Sequence, residues 1–157
     1  MLPGMAKKIR IHVDFTEDNC LFGVSCHKRD YWFAYHLNDA LHINLRRLDD
    51  FPYYQTRLDE SLTYPIFHDF ITDDQLGYFM ISNYNQEGLL FPELKNTDFF
   101  VLVQGPLQEA RRLGILSKIR GISGVLTAFL PDTGKLKEYD SFLSDLELHM
   151  TSLKKKE

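Results

Sequence analysis

A chain of 157 residues is the size of one ordinary domain and can bury roughly two-thirds of its unfolded surface, so its fold requires neither a structural metal nor a disulfide. A hydrophobic share of 44%, with 12 Phe and 8 Tyr, excludes a disordered chain and predicts a core rich in aromatic rings. The net charge of −4 excludes a molecule-wide attraction to nucleic acid or acidic lipid, and no run approaches the ~18 apolar residues of a membrane span.

No repeat, low-complexity tract or Pro/Gly/Ser linker divides the chain, which predicts a single domain over 1–157. Residues 1–6 are expected to be disordered, with Met5-Ala6-Lys7-Lys8 the more natural start. Over 8–15, Ile9, Ile11, Val13 and Phe15 alternate with Lys8, Arg10, His12 and Asp14, the period of a strand with one buried face. "FTEDN" then turns the chain, and "CLFGVSC" reads as a short second strand or extended segment. A helix is predicted over 30–41, with Asp30 as its N-cap and Phe33, Leu37, Ala40 and Leu41 at helical spacing; Trp32, Tyr35 and His36 widen that stripe.

A polar, proline-bearing stretch follows, and then two strands, 61–71 and 75–84, joined at "TDDQ". Pro65 cannot donate to a ladder, so the first should be an edge strand or bulged there. "NYNQEG" is a turn. Over 98–103, Phe99, Phe100, Val101, Leu102 and Val103 leave neither face polar, which predicts a central strand. Gly105-Pro106 opens a helix that runs to about Arg120, and "VLTAFL" is the next strand, so the three elements make a βαβ unit. Leu136, Tyr139, Leu143, Leu146, Met150 and Leu153 recur three and four apart in a last helix, which should dock on the chain's own sheet. The expected fold is α+β: a two-layer sandwich of ferredoxin-like βαβ elements with an inserted hairpin and an additional C-terminal helix.

Few residue sets carry chemistry. The six histidines are scattered, and His36 and His42 lack the spacing of helix ligands, so no metal and no cofactor is expected. Cys20 and Cys26 are not a CxxC pair and fit a reducing, cytoplasmic setting. Asp14, Glu17 and Asp18 lack the spacing of a calcium loop. Aromatics of the hairpin, among them Tyr64, Phe67, Phe70, Tyr78, Phe79 and Tyr84, could stack single-stranded bases beside the basic stretch Lys7 to Arg10, although core packing accounts for them better. The start of the helix after the central strand, at Gly105, Leu107 and Gln108, offers free backbone N–H groups to a small anionic ligand.

The most distinctive stretch is "LLFPELKNTDFFVLV", in which Glu93 and Asp98 flank the lead-in to the central strand. As an acid/base pair they would serve a hydrolase-type enzyme, but five residues of extended chain separate them by up to about 17 Å. Hydrogen bonds from backbone N–H groups of the lead-in loop are the simpler use for both, and no catalytic residue is assigned.

"FPELKNTDF", with Pro92, Glu93 and Asp98 in place, resembles the signature of the small bacterial IPExxxVDY family; Phe91, Thr97 and Phe99 depart from it. The "MAKK" start, "LNDALHINL" and "ISN" are also similar to that family. The resemblance implies no activity, substrate or catalytic residue. The sequence as a whole predicts a non-enzymatic binding or regulatory protein, acting through a protein partner or small anionic ligand and open to homodimer formation. Neither a membrane nor nucleic acid is its expected partner.

Overall fold

The computed structural model describes residues 19–156. The strand expected at 8–15, the acidic cluster Asp14, Glu17 and Asp18, the basic stretch Lys7 to Arg10 and the disorder expected at 1–6 lie outside the described residues. In chain order the elements are β1 (Asn19–Ser25), α1 (Asp30–Leu41), β2 (Arg46–Arg47), β3 (Phe51–Gln55), β4 (Glu60–Tyr64), β5 (Ile66–Ile71), β6 (Leu76–Ser82), β7 (Phe99–Gln104), α2 (Glu109–Arg120), β8 (Thr127–Phe129) and α3 (Tyr139–Lys156). Single 3-10 turns occupy Pro92–Leu94 and Thr133–Lys135.

The protein is a mixed α+β structure whose main sheet has six strands in the order β2-β5-β6-β7-β1-β8, with every neighbouring pair antiparallel. β7 lies inside this sheet as its unbroken apolar run requires: Phe99, Val101 and Val103 face one core, Phe100 and Leu102 the other. β7 and β8 are both antiparallel to β1, which lies between them, so they run parallel to each other with α2 as their connection. The expected strand-helix-strand unit therefore exists, split by a third strand.

Two cores follow from the alternation. On one face, Phe22, Val24, Tyr78, Met80 and the first set of β7 residues meet Phe33 and Leu37 of α1 and Ile115 and Ile119 of α2. On the other, Phe79, Ile81, Phe100 and Leu102 meet Phe51, Tyr53, Leu62 and Tyr64 of the β3–β4 hairpin and Phe142 and Leu146 of α3. The sequence predicts two layers; the hairpin and α3 cover the second face and make a third. α3 docks on the chain's own core through its apolar stripe, as its spacing predicts.

Other expectations change. "CLFGVSC" is not a minor segment but β1, paired on both sides within the sheet, where Gly23 leaves room for the Phe129 ring. The proline-bearing stretch after α1 holds β2 and β3. The single strand expected over 61–71 breaks at Pro65 into β4, in the two-stranded hairpin, and β5, in the main sheet. Proline has no N–H to give to a ladder, and its carbonyl accepts from the Ser82 N–H at 3.0 Å. Asp30 is the first residue of α1 rather than its cap, which is Arg29; its Oδ1 accepts from the Tyr31 N–H. α2 begins at Glu109, after Pro106 rather than at it, with Gln108 as N-cap.

Candidate functional site

The turn 91–98 joins β6 to β7 and contains the motif. Its organiser is a residue before it, Asn83, whose side chain is buried among backbone groups of the turn. Asn83 Nδ2 donates to the carbonyls of Leu94 (3.1 Å) and Thr97 (2.8 Å), and Oδ1 accepts from the Phe91 N–H (2.8 Å). Its own N–H donates to the Asp98 carbonyl, and its carbonyl accepts from the Leu90 N–H. One amide thereby holds both ends of the turn, and Pro92 opens its 3-10 segment with a pre-set φ.

The motif side chains reach outward from this frame. Phe91 is fully buried and meets Phe100 of β7 and Phe142 of α3 edge-on, at ring-centroid distances of 5.1 and 5.2 Å. Glu93 Oε2 accepts from the Lys137 N–H at 3.2 Å, ahead of α3, where a carboxylate also complements the helix dipole. Asp98 Oδ2 accepts from the Cys26 N–H at 2.8 Å, just past β1, and the Asp98 N–H donates to the Val24 carbonyl. His27 Nε2 lies 3.9 Å from the same carboxylate oxygen. Ser25 Oγ donates to the Asn96 carbonyl at 2.6 Å. The two carboxylates do accept backbone N–H groups, but those of distant segments rather than of their own loop.

A cleft of 260 Å³ opens beside Glu93, bounded by Phe91, Lys137 and Glu138 and by Tyr54, Gln55 and Arg57 of the β3–β4 hairpin and its turn. Asp98 is not part of it, so the turn does not bring Glu93 and Asp98 into one cleft. Behind it, Gln55 Nε2 donates to the Tyr64 hydroxyl (2.8 Å) and the Leu89 carbonyl (3.0 Å), and Tyr64 Oη donates to the Gly88 carbonyl (2.9 Å). This cleft is rimmed by both charge signs, with its buried polar groups partnered.

Gly105, Leu107 and Gln108 stand at the other end of β7. Gly105 adopts φ +132°, and a Cβ there would run into the Gln75 carbonyl, so the position needs glycine. Gly105 lines a 600 Å³ groove between the sheet and α3 that also carries Asp140 and Glu147, whereas Leu107 lines a different cleft of 430 Å³ with Glu109 and Arg112. The three residues do not converge on one cavity, and Glu109 places a carboxylate in the first turn of α2.

Beyond the motif, α1 carries an outward ledge of rings. Tyr31 and Tyr35, one turn apart, are 66% and 70% exposed. Trp32 and His36 lie beside them with centroids 4.0 Å apart, Tyr35 meets His36 edge-on at 5.2 Å, and the Lys28 ammonium sits 5.3 Å from the Trp32 ring. The sequence places Tyr35 in the buried stripe; the helix turns it to solvent because Phe33, Ala34 and Leu37 are the residues that face the core. Of the hairpin aromatics proposed for base stacking, Tyr64, Phe67, Tyr78 and Phe79 are buried, and only Phe70 and Tyr84 reach solvent.

Titration is shifted mainly by burial, with tyrosines such as Tyr53, Tyr64 and Tyr139 held above their ordinary range. Burial pushes the Cys20 thiol up to about 11, against a downward pull from Arg112, and raises that of Cys26 as well, so neither is an activated nucleophile. Burial holds His68 below the ordinary histidine range, with Asp69 acting in the opposite sense. Among the described residues no group of three or more His, Cys, Asp or Glu side chains could hold a metal ion, and no helix is long and apolar enough to cross a membrane. Asn83, Tyr31 and Tyr35 are the positions that sequence reasoning passed over; the "ISN" beside the motif and the i,i+4 tyrosines are the signals they left. Compared with protein-family models, curated proteins and solved structures, the chain matches none.

Proposed function

We propose that this chain is a non-enzymatic binding or regulatory protein of the cytoplasm that acts through a protein partner engaging the outer face of α1. The aromatic ledge carries this reading. Tyr31 and Tyr35 stand on a helix fixed by Phe33 and Leu37, and with Trp32 and His36 they present rigid rings with few rotamers to lose on binding. Exposed aromatic clusters of this kind mark contact surfaces more often than isolated exposed residues do. The hydrogen bonds that Glu93 and Asp98 accept from separate backbone segments support a structural use of the motif over acid/base chemistry.

The resemblance to the IPExxxVDY family fits the same reading. Asn83 of "ISN" and the motif form one hydrogen-bonded unit, which gives a physical reason for the two to occur together. The strand order β8-β1-β7-β6, with α1 and α2 as the two helical connections, supports the ferredoxin-like description; β2 to β5 are then an insertion between α1 and β6.

The test uses the full chain as bait in its native extract, beside a Tyr31→Ser/Tyr35→Ser double variant of unchanged circular dichroism. The reading predicts a partner retained by the wild type and lost from the double variant. Equal retention by both would remove the ledge from consideration.

A further inference from the structure

The cleft beside Glu93 is built from three segments, 54–57, 90–93 and 137–138, and its 260 Å³ limits what it can take. Sites for drug-sized ligands run from about 300 to 1,000 Å³, so an occupant here is a single molecule smaller than a nucleotide or a peptide. Leu90 and Phe91 close the floor and are buried, while the exposed ring of Tyr54 and the half-buried Pro92 give the walls an apolar surface that solvent reaches.

Four charged groups line the same cleft: Arg57 and Lys137, Glu93 and Glu138. Among the described residues no ion pair joins any of the four to another side chain. Arg57 belongs to the hairpin turn closed by the Leu58 N–H on the Gln55 carbonyl at 3.1 Å. Its Nη2 donates to Gln55 Oε1 at 3.4 Å, and a Cβ on Gly88 would lie 3.5 Å from that nitrogen. Gln55 is buried and fixed by its own bonds to Tyr64 and Leu89, so the guanidinium rests on a rigid polar base and has further N–H groups to give. Glu93 is oriented by the Lys137 N–H on Oε2, and a carboxylate so engaged still has Oε1 to accept with.

Two cations and two carboxylates sum to zero. A simple anion would meet the like charges of Glu93 and Glu138, and a simple cation those of Arg57 and Lys137. A molecule that carries both charges a few atoms apart can place each beside its opposite. A planar guanidinium matches a carboxylate through two parallel hydrogen bonds, and a fixed carboxylate suits an ammonium. We propose that this cleft binds a small zwitterionic α-amino acid with an aliphatic side chain, its carboxylate on Arg57, its ammonium on Glu93 and its side chain against Tyr54 and Pro92. Lys137 and Glu138 complete the charge balance around those two groups. The cleft shares no residue with the aromatic ledge of α1, so either reading can fail without the other.

Equilibrium dialysis of the full chain with radiolabelled L-leucine tests this, with N-acetyl-L-leucine and L-leucinamide as competitors that each lack one charge. Saturable retention of one leucine per chain is expected. Each capped form should compete about tenfold or more less well than leucine itself, the loss expected for one charge-assisted contact. Arg57→Gln and Glu93→Gln, both at exposed positions, should each weaken retention by about tenfold or more while leaving the circular dichroism unchanged. No retention at about 1 mM leucine, where a specific site of even modest affinity is half filled, would overturn the proposal. Equal competition by either capped form would do so too, without need of any variant, and undiminished retention by either variant would move the leucine to another place.

Discussion

At its start β7 is led in by the turn 91–98, whose polar groups are consumed by Asn83, Cys26 and Lys137, while at its end it runs into Gly105 with one cavity on either side of the next four residues. Both ends belong to one buried strand and both drew attention in the sequence, yet they do different work. At the start the side chains of Asn83, Glu93 and Asp98 are tied to backbone groups, those of the two carboxylates lying next to α3 and β1, which fastens β1, β7 and α3 to one another. At the end the backbone is forced close to the β5–β6 turn and the side chains around it remain partly open. A cluster of polar residues at this strand start thus serves assembly of the fold, and the strand end is left with open space beside it.

The comparison breaks most severely at Asn83. Asn83→Ala leaves the Thr97 carbonyl and the Phe91 N–H of a buried turn without partners, and the Leu94 carbonyl with the Thr97 N–H alone; at about 1–3 kcal/mol for each orphaned group with partial relief by water, a loss of about 2–4 kcal/mol is expected in urea unfolding. A loss below about 1 kcal/mol would show that the turn holds itself. Gly105→Ala tests the other end: a side chain at φ +132° against a backbone carbonyl should cost about 1–3 kcal/mol. A thermal midpoint equal to wild type would mean that the β5–β6 turn yields freely.

The two motif carboxylates sharpen the contrast within the turn itself. Asp98→Ala orphans the Cys26 N–H and is expected to cost about 1–2 kcal/mol, whereas Glu93→Gln keeps an acceptor for the exposed Lys137 N–H and should stay within about 0.5 kcal/mol. The reverse order would assign the structural role to the wrong carboxylate.

The smallest effect is a pH dependence at His68 on β5, stacked on Phe79 with centroids 4.5 Å apart. Its folded pKa lies below the unfolded value of about 6.5, so the unfolded state takes up the proton first. The stability from its burial is complete above about pH 6.5 and is lost as the pH falls below that value. Denaturant midpoints from pH 7.5 to 5 should decline more steeply in the wild type than in His68→Gln. Parallel curves would exclude His68 as the source.

Much of this was legible in residue order. β7, α1, β6 and the docking of α3 follow from strictly local patterns: a run apolar on both faces, a helical stripe, a seven-residue β-former block, a three-four repeat. β1 was undervalued because Gly23 interrupts a short run, and only the ring of Phe129 explains why glycine stands there. β3 hid in a polar stretch because just its alternate residues, Phe51, Tyr53 and Gln55, turn inward. The motif was visible as a motif, and its use of backbone N–H groups was expected, but their identity was not, since Cys26 and Lys137 are distant in sequence.

By itself, then, the sequence determined the class of the protein: a chain with enough aromatic and aliphatic surface to fold around its own core, strands and helices of set type, and no residue spacing of a known catalytic or metal site. These are properties of composition and of neighbours along the chain. The tertiary structure alone decided that Pro65 divides two sheets, that Asn83 owns the motif, that Glu93 and Asp98 serve different elements, and that Tyr35 faces outward. Each of these depends on which distant backbone groups arrive at hydrogen-bonding distance or on which side of a helix the sheet lies, and neither is fixed until the whole chain has packed.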